Sequence, residues 1–182
     1  MSKRLTLVLG GVRAGKSRHA QTLAQTGQRV LVVATAEAGG EEMAARIEAH
    51  RAERPADWDT LEEPLDLVTA LAPRLPDYDT VLLDCLTLWV SNLLLKTADA
   101  GQAALDIPAE SDRLLQLYED GDASWFVVSN EVGLGVIPAN ELARAYADAL
   151  GRVNQVFAAA ADDVIVMYAG VPVNVRAYSS GE

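Results

Sequence analysis

The chain has few basic residues, a single cysteine and no long apolar run. Its 15 Lys and Arg residues stand against 26 Asp and Glu residues, which gives a formal net charge of −11. That charge argues against nucleic acid or an anionic membrane as the main partner, because both are negative. Cys85 has no second cysteine to pair with, so we expect a reducing, cytoplasmic compartment. The first apolar run is too short for a signal peptide, and no run of about 18 apolar residues exists, so we expect no membrane insertion.

A complete phosphate-binding loop lies between the first apolar run and the first helical stretch. It consists of Gly10, Gly11, Val12, Arg13, Ala14, Gly15, Lys16 and Ser17. Glycines allow backbone N–H groups to surround a polyphosphate, and the N-terminus of the following helix adds partial positive charge. Lys16 can reach the β- and γ-phosphates, and the Ser17 hydroxyl can ligate Mg²⁺. A glycine-rich turn with a chance Lys-Ser pair is the alternative, but the flanking strand and helix favour a nucleoside triphosphate site.

The order of apolar and helical stretches predicts an α/β protein. Strands that are apolar throughout and separated by helices are typical of a parallel sheet covered on both faces. We therefore expect a P-loop NTPase-type fold with a mainly parallel sheet, helices on both faces and a single domain over 1–182. The expected strands are 5–9, 29–34, 80–84, 124–129 and 164–168, and the expected helices are 18–25, 41–52, 65–75, 86–96, 109–119 and 140–161. We expect turns at 54–64, a loop at 98–108 and a loosely ordered tail at 174–182.

Asp84 closes the apolar strand 80–84 with a carboxylate. In phosphate-loop proteins such a carboxylate helps to hold Mg²⁺ beside the loop hydroxyl. The alternative is an aspartate that only caps the next helix. Cys85 follows where many water-activating ATPases carry an acid, and this favours transfer to an acceptor other than water.

The helix that begins near Glu41 carries a basic stripe. Arg46, His50 and Arg54 are spaced four residues apart, which lays them along one face. A cationic stripe with one imidazole suits a triphosphate and a histidine nucleophile. The alternative is a solvated basic face with an incidental histidine. The chain has only 2 histidines, and the other, His19, follows the phosphate loop, which favours a functional role for the stripe.

Longer motifs connect these elements. They are GGVRAGKSRHA at 10–20, VVATAEA at 32–38, EMAARIEAHRAERPADWDTLEEPLDL at 42–67, VLLDCLTLWVSNLL at 81–94, SNEVGLGVIP at 129–138 and GRVNQVFAAAADDVIVMYAGVPV at 151–173. In this order, over nearly the whole chain, they resemble the bifunctional adenosylcobinamide kinase / adenosylcobinamide-phosphate guanylyltransferase family of cobalamin biosynthesis. The loop motif is generic, whereas the stretch after Glu42 and the Asn-Glu-Val-Gly string are specific. Val12 and Ala14 depart from the residues often seen in the family, but neither supplies phosphate chemistry.

The resemblance implies an enzyme with two reactions. It would phosphorylate adenosylcobinamide with ATP or GTP and then transfer GMP from GTP to adenosylcobinamide phosphate. The transfer would pass through a guanylylated histidine, for which His50 is the match, so His50 and Lys16 are the expected catalytic residues. Mg²⁺ is the expected cofactor, with Ser17 and Asp84 as its ligands, and a homotrimer is the expected assembly. Besides the phosphate loop, the implied nucleotide contacts are Ala34, Thr35, Ala36, Arg51, Ala52, Glu53, Arg54, Glu62 and Asp84.

Other residues stay open at the level of sequence. No Asn-Lys-x-Asp string for guanine recognition is present, and the nearest string, at 129–132, lacks the lysine. Asn130, Glu131 and Gly133 follow a strand and so lie at the sheet edge where ligands bind, but substrate contact and loop structure are equally compatible with them. His19 is either a helix residue that supports the loop or a substrate contact.

Three hypotheses therefore compete. The protein is the bifunctional kinase and guanylyltransferase, a different small-molecule kinase on the same fold with His50 on its surface, or a nucleotide-gated binding module without transfer chemistry. A guanylylated enzyme would separate the first from the second, and turnover with any phosphoryl acceptor would exclude the third.

Overall fold

The computed structural model describes residues 2–37, 39–97 and 100–179, without the side chains of residues 42, 43, 46, 100–105, 178 and 179. Within these residues one seven-stranded sheet forms in the order β3-β2-β4-β5-β1-β6-β7. The strands are β1 Leu5–Gly10, β2 Val30–Ala34, β3 Asp59–Glu62, β4 Thr80–Asp84, β5 Ser124–Val128, β6 Asp163–Tyr168 and β7 Val171–Asn174. Every neighbouring pair is parallel except β6 and β7.

Helices connect the parallel strands. They are α1 Lys16–Ala24, α2 Glu41–Ala52, α3 Leu67–Leu71, α4 Leu86–Lys96, α5 Ala100–Asp120, α6 Glu141–Ala160 and α7 Arg176–Ser179, and a 3₁₀ turn spans Leu75–Asp77. The N-terminus of α6 is capped by Asn140, whose side chain accepts a hydrogen bond from the N–H of Ala143. In the described ranges, none of these helices has the length and apolar character needed to cross a bilayer.

The sheet is packed on both faces because successive residues of its central strands point to opposite faces and are apolar on both. Leu7, Leu83 and Val127 point into a large core that α3, α4, α5 and α6 cover. Val8 and Leu82 point into a smaller core closed by Ala20 and Ala24 of α1 and other small or partly buried side chains. Burial of this continuous apolar surface is the dominant favourable contribution to folding. The expected α/β fold, with a mainly parallel sheet and helices on both faces, is confirmed.

The predicted loop at 98–108 is wrong for residues 100–108, which belong to helix α5. The sequence favoured a loop because its residues are small or polar and because Pro108 removes a helical N–H. Tertiary packing outweighs this cost, since Ile107 and Leu114 are buried in the large core. Residues 98 and 99 of the prediction lie outside the described residues.

Two short strands, β3 and β7, were missing from the sequence prediction. The stretch 54–64, predicted as turns, contains β3, which pairs with β2 so that Glu62 lies beside Ala34. Only Leu61 of β3 is apolar, so the strand has no hydrophobic run to reveal it. Strand β3 matters for the candidate site because it brings Glu62 to the carboxyl edge of the sheet.

The predicted loose tail is likewise corrected over 174–179, while 180–182 lie outside the described residues. Strand β7 turns back along β6, and Asn174 Nδ2 donates a hydrogen bond of 2.7 Å to Asp163 Oδ1. Helix α7 then follows, and Arg176 donates hydrogen bonds to the carbonyls of Ala158 and Ala159 at the end of α6. These contacts are long-range, and composition alone could not reveal them.

Candidate active site

The phosphate loop joins the end of β1 to the start of α1. Gly10 has φ 148° and Gly15 has φ 93°, both in the region that favours glycine. At Gly10 a Cβ atom would also lie 2.6 Å from the carbonyl oxygen of Met167 on β6. The close pairing of β1 with β6 therefore requires glycine at this position, and the turn at Gly15 directs the chain into the helix.

Lys16 and Ser17, the first two residues of α1, face the loop and the end of β4. Lys16 is 8% exposed, and its Nζ donates a hydrogen bond of 2.7 Å to the carbonyl of Gly11. The Ser17 hydroxyl donates to Asp84 Oδ1 across 3.3 Å. An ammonium, a hydroxyl and a carboxylate thus meet at the N-terminus of α1, where the helix dipole favours a bound anion.

Thr35 fixes the backbone next to Asp84. It is fully buried, its hydroxyl donates to the carbonyl of Cys85 at 2.7 Å, and it accepts from the N–H of Cys85 at 2.9 Å. Asn92 of α4 in turn donates to the Thr35 carbonyl at 2.8 Å. The sequence reasoning named Thr35 as a nucleotide contact, whereas in the structure its hydroxyl holds the chain that carries Asp84.

A cleft of about 1110 Å³ opens above this edge of the sheet. It is large enough for a nucleotide together with part of a second substrate. Of the residues that the sequence named, it is lined by Val12, Arg13, Ala14, Gly15, Lys16, Ser17, Ala34, Ala36, His50, Arg51, Glu53, Arg54, Glu62 and Asp84. The lining does not include Gly10, Gly11, Thr35 or Ala52. The predicted roles of all these residues in binding stay predictions, but the structure brings most of them to one cavity.

Helix α2 and strand β3 form one wall of the cleft and are joined by ion pairs. Arg51 pairs with Glu62 on β3 and with Glu48 on α2, and these carboxylates raise the pKa of the Arg51 guanidinium. Arg54 donates a hydrogen bond of 3.3 Å to Thr60 Oγ1. Burial lowers the pKa of Arg54, while the charge of Asp84 acts in the opposite direction. An arginine has a pKa so high that it stays charged here, so both side chains bring cations to the cleft.

His50 faces the same cleft from α2. Its Nδ1 is buried and has no hydrogen-bond partner among the described residues. An unpaired buried polar atom costs about 1–3 kcal/mol, and a ligand bound in the adjoining cleft would provide the missing partner. Of the basic stripe predicted from spacing, His50 and Arg54 both line the cavity, and the side chain of Arg46 lies outside the described residues.

The structure adds cleft residues that the sequence did not single out. Arg18 and Thr22 of α1 line the cavity beside His19, which the sequence analysis left open as a loop-supporting residue or a substrate contact. Met167 of β6 also lines the cavity, together with Ala169 and Gly170 of the turn between β6 and β7. Nothing local in the sequence identifies that turn, because its position depends on the pairing of Gly10 with Met167.

The residues present fit a magnesium ion bound together with phosphates. Within the described residues no group of three or more His, Cys, Asp and Glu side chains could hold a metal by itself. Mg²⁺ is commonly held by one or two protein oxygens, with substrate phosphates and waters completing an octahedron. The Ser17 hydroxyl and the Asp84 carboxylate, 3.3 Å apart at the cleft, provide such a donor set.

A second pocket, of about 380 Å³, lies away from this cleft between α4 and the start of α6. Apolar side chains dominate its lining, with Leu94, Leu95 and Leu142 among them. It offers no cluster of cations for a phosphate, so the chemistry expected from the sequence belongs to the larger cleft.

Comparison with known families agrees with this geometry. The model of the family described as "Cobinamide kinase / cobinamide phosphate guanyltransferase" matches residues 6–175. The chain belongs to this family. The match begins within β1 and ends just after β7, so it includes every strand of the sheet and the whole of the cleft wall formed by α2 and β3.

Curated relatives in the same family are similar over most of their length. The bifunctional adenosylcobalamin biosynthesis protein CobP of Pseudomonas aeruginosa is 44% identical over 171 residues, which cover 93% of this chain and 96% of the relative. The proteins named bifunctional adenosylcobalamin biosynthesis protein CobU from Salmonella typhimurium and Escherichia coli are 40% and 38% identical over 180 residues, or 94% of this chain and 99% of each relative. The resemblance inferred from sequence motifs is thereby confirmed.

Proposed function

We propose that the protein phosphorylates adenosylcobinamide with ATP or GTP and then transfers GMP from GTP to the resulting phosphate. The products of the second reaction are adenosylcobinamide-GDP and pyrophosphate. Family membership and the names of the relatives support this pair of activities. The structural observation that carries the proposal is that one cleft is bordered both by the phosphate loop and by His50.

In the kinase reaction the hydroxyl oxygen of adenosylcobinamide forms a bond to the γ-phosphorus. The bond between that phosphorus and the β–γ bridging oxygen breaks, its electron pair stays on the nucleoside diphosphate, and the hydroxyl proton passes to water. Lys16 and the N–H groups of the loop neutralise the phosphate charge. Mg²⁺, held by Ser17 and Asp84, would supply further charge neutralisation. Positioning and electrostatics dominate this chemistry, so no strong base is required.

In the transferase reaction a neutral imidazole nitrogen of His50 attacks the α-phosphorus of GTP. The bond from that phosphorus to the α–β bridging oxygen breaks, and pyrophosphate leaves with the electron pair. An oxygen of adenosylcobinamide phosphate then attacks the same phosphorus, and the electrons of the N–P bond return to the imidazole. Arg51 and Arg54, beside His50 on the same wall, can stabilise the charge that develops on phosphate oxygens.

Turnover tests the proposal directly. Purified protein is incubated with adenosylcobinamide, Mg²⁺ and either ATP or GTP, and the products are separated by chromatography and identified by mass. We expect adenosylcobinamide phosphate with either nucleotide and adenosylcobinamide-GDP with GTP. Formation of the phosphate alone would leave a kinase without the transferase, and formation of neither would reject the proposal.

We also propose a cytoplasmic homotrimer. The single cysteine suits a reducing compartment. Self-association is supported by the loop before α6, where the apolar side chains of Leu134, Val136 and Ile137 are 89%, 96% and 81% exposed. Light scattering coupled to size-exclusion chromatography would give three times the chain mass of 19.4 kDa, and a monomer would reject this assembly.

A further inference from the structure

Strand β5 lies between the strand that leads into the phosphate loop and the strand that ends in Asp84. Val128, its last residue, is in register with Val8 of β1 on one side and with Asp84 of β4 on the other. The chain continues along β1, because the N–H of Ser129 donates to the carbonyl of Val8 and that of Glu131 donates to the carbonyl of Gly10. Asn130 is therefore held between the start of the phosphate loop and Asp84.

Both backbone polar groups of Asn130 are occupied by a buried network. Its N–H donates to Thr87 Oγ1 at 2.8 Å, and its carbonyl accepts from Asn154 Nδ2 at 3.1 Å. Asn154 is oriented in turn by the hydroxyl of Ser129, which donates to Asn154 Oδ1 at 2.7 Å. Ser129, Thr87 and Asn154 are all buried. A satisfied buried network of this kind fixes the position of the residue that it holds.

The side chain of Asn130 is not used by this network. It is half-buried and lines the cleft, and its amide makes no hydrogen bond with the residues that the structure describes. The neighbouring Glu131 differs, since its Oε1 accepts from the N–H of Gly133 at 3.2 Å and so shapes the loop. The structure thus separates the two roles that the sequence left open, with Glu131 assigned to the loop and Asn130 to the cleft.

We propose that Asn130 is a catalytic residue of the kinase reaction, whose amide N–H donates a hydrogen bond to an oxygen of the γ-phosphoryl group as it is transferred. This inference rests on the proposed kinase function. Asn130 lines the same cleft as Lys16 and Ser17. A nucleotide whose β- and γ-phosphates lie on these two residues would therefore present its γ-phosphoryl group to the cleft that Asn130 lines. As the bond to the bridging oxygen breaks and the bond to the acceptor oxygen forms, charge is spread over the γ-phosphoryl oxygens. A fixed donor aimed at these oxygens stabilises the transition state more than the bound nucleotide.

Loss of the Asn130 side chain should affect the two reactions differently, because GMP transfer breaks a bond at the α-phosphorus and not at the γ-phosphorus. Asn130→Ala removes the donor, and Asn130→Asp keeps the shape but replaces the N–H with a carboxylate. We expect the kcat of adenosylcobinamide phosphorylation to fall about 100-fold in Asn130→Ala, as for loss of one preorganised donor, and at least as far in Asn130→Asp. In Asn130→Ala the KM for the nucleotide should change less than about threefold, since the contact forms mainly in the transition state. In Asn130→Asp the new carboxylate also repels the bound phosphates, so only its kcat is compared.

The same preparations are tested for the GMP adduct that forms with GTP in the absence of acceptor. We expect Asn130→Ala to form the adduct as wild type does, which also shows that this variant is folded and binds GTP. Glu131→Gln is the matched control, because its amide oxygen can still accept from Gly133, and it should keep the kinase kcat of wild type.

An unchanged kinase kcat in Asn130→Ala and Asn130→Asp would overturn the inference while leaving the proposed function intact. In Asn130→Ala, a rise in nucleotide KM and a loss of the adduct in proportion to the loss of kcat would also overturn it, because Asn130 would then support nucleotide binding in general. Failure of the wild-type protein to phosphorylate adenosylcobinamide would instead reject the proposed function, and this inference with it.

Discussion

The hydroxyl of Ser17 donates a hydrogen bond to Asp84 Oδ1 across 3.3 Å, which ties the first turn of α1 to the end of β4. These residues are 67 positions apart in the chain, and the parallel sheet brings them together because β1, β5 and β4 end at the same edge. The pair supplies the hydroxyl and carboxylate oxygens that we propose hold a magnesium ion together with the nucleotide phosphates.

Replacement of the carboxylate should therefore weaken the response to magnesium. Asp84→Asn keeps the size of the side chain but removes its charge, so we expect the Mg²⁺ concentration for half-maximal kinase rate to rise about tenfold or more. A Mg²⁺ titration of the initial rate provides the measurement. Asp112→Asn, an exposed change on α5, is the control. Identical titrations for Asp84→Asn and wild type would remove Asp84 from the metal site.

Thr35 should act on the same titration although it does not line the cleft. Thr35→Val removes the hydroxyl that both donates to and accepts from Cys85, whereas Thr35→Ser retains it. Groups that orient a metal ligand typically affect metal affinity by about 10–100-fold, so the Mg²⁺ requirement should rise in Thr35→Val and recover in Thr35→Ser. Equal Mg²⁺ requirements in the valine variant and wild type would show that the position of Asp84 does not depend on Thr35.

Lys16 should be needed for both reactions, because both use the same triphosphate cradle. Lys16→Ala removes the charge nearest the β- and γ-phosphates, and we expect kinase turnover and GMP transfer each to fall by about 100-fold or more. Rates at saturating nucleotide are compared with those of Lys96→Ala, which removes an exposed lysine paired with Glu37. Near-normal kinase turnover in Lys16→Ala would contradict the assignment of the phosphate site.

Sequence predicted the phosphate loop, the carboxylate at the end of β4 and the helices α2 and α6 because each has a local signal. A glycine at a turn, a carboxylate after an apolar run and a helical period are all written in neighbouring residues. The role of Thr35 was not predictable in the same way. Its hydroxyl could have faced a nucleotide, and only the register of β2 with β4, which sets Ala34 beside Asp84, turns it towards Cys85.

The errors of the sequence prediction have a common physical origin. Strand β3 is short and mostly polar, and α5 begins in a segment of small residues before Pro108, so local propensity favoured turns and loop. Long-range contacts decide both cases. The pairing of β3 with β2 stabilises a strand that lacks an apolar run, and the large core retains a helix that contains a proline.

The single cysteine should be chemically quiet. Burial, with a further contribution from the charge of Asp84, raises the pKa of the Cys85 thiol from 9.0 to about 11. Because the pKa is raised, the neutral thiol persists up to that pH, and at pH 8 the reactive thiolate is about 100-fold scarcer than in the unfolded chain. The rate of alkylation by iodoacetamide is measured against pH in native and urea-unfolded protein. The native rate should keep rising towards pH 11, where the unfolded rate has already levelled off, and parallel profiles would contradict the raised pKa.

A nucleophilic role of His50 distinguishes the proposed bifunctional enzyme from a kinase alone. Intact mass spectrometry after incubation with GTP and Mg²⁺, without acceptor, measures it most directly. Wild type should gain the mass of one GMP, and the adduct should be labile in acid and stable in base, as expected of a phosphoramidate. His50→Ala should gain none while it keeps most of its phosphorylation of adenosylcobinamide, and His19→Ala serves as the second histidine control, since only these 2 imidazoles exist in the chain. An adduct that persists in His50→Ala, or its absence from wild type, would contradict the two-step transfer through His50.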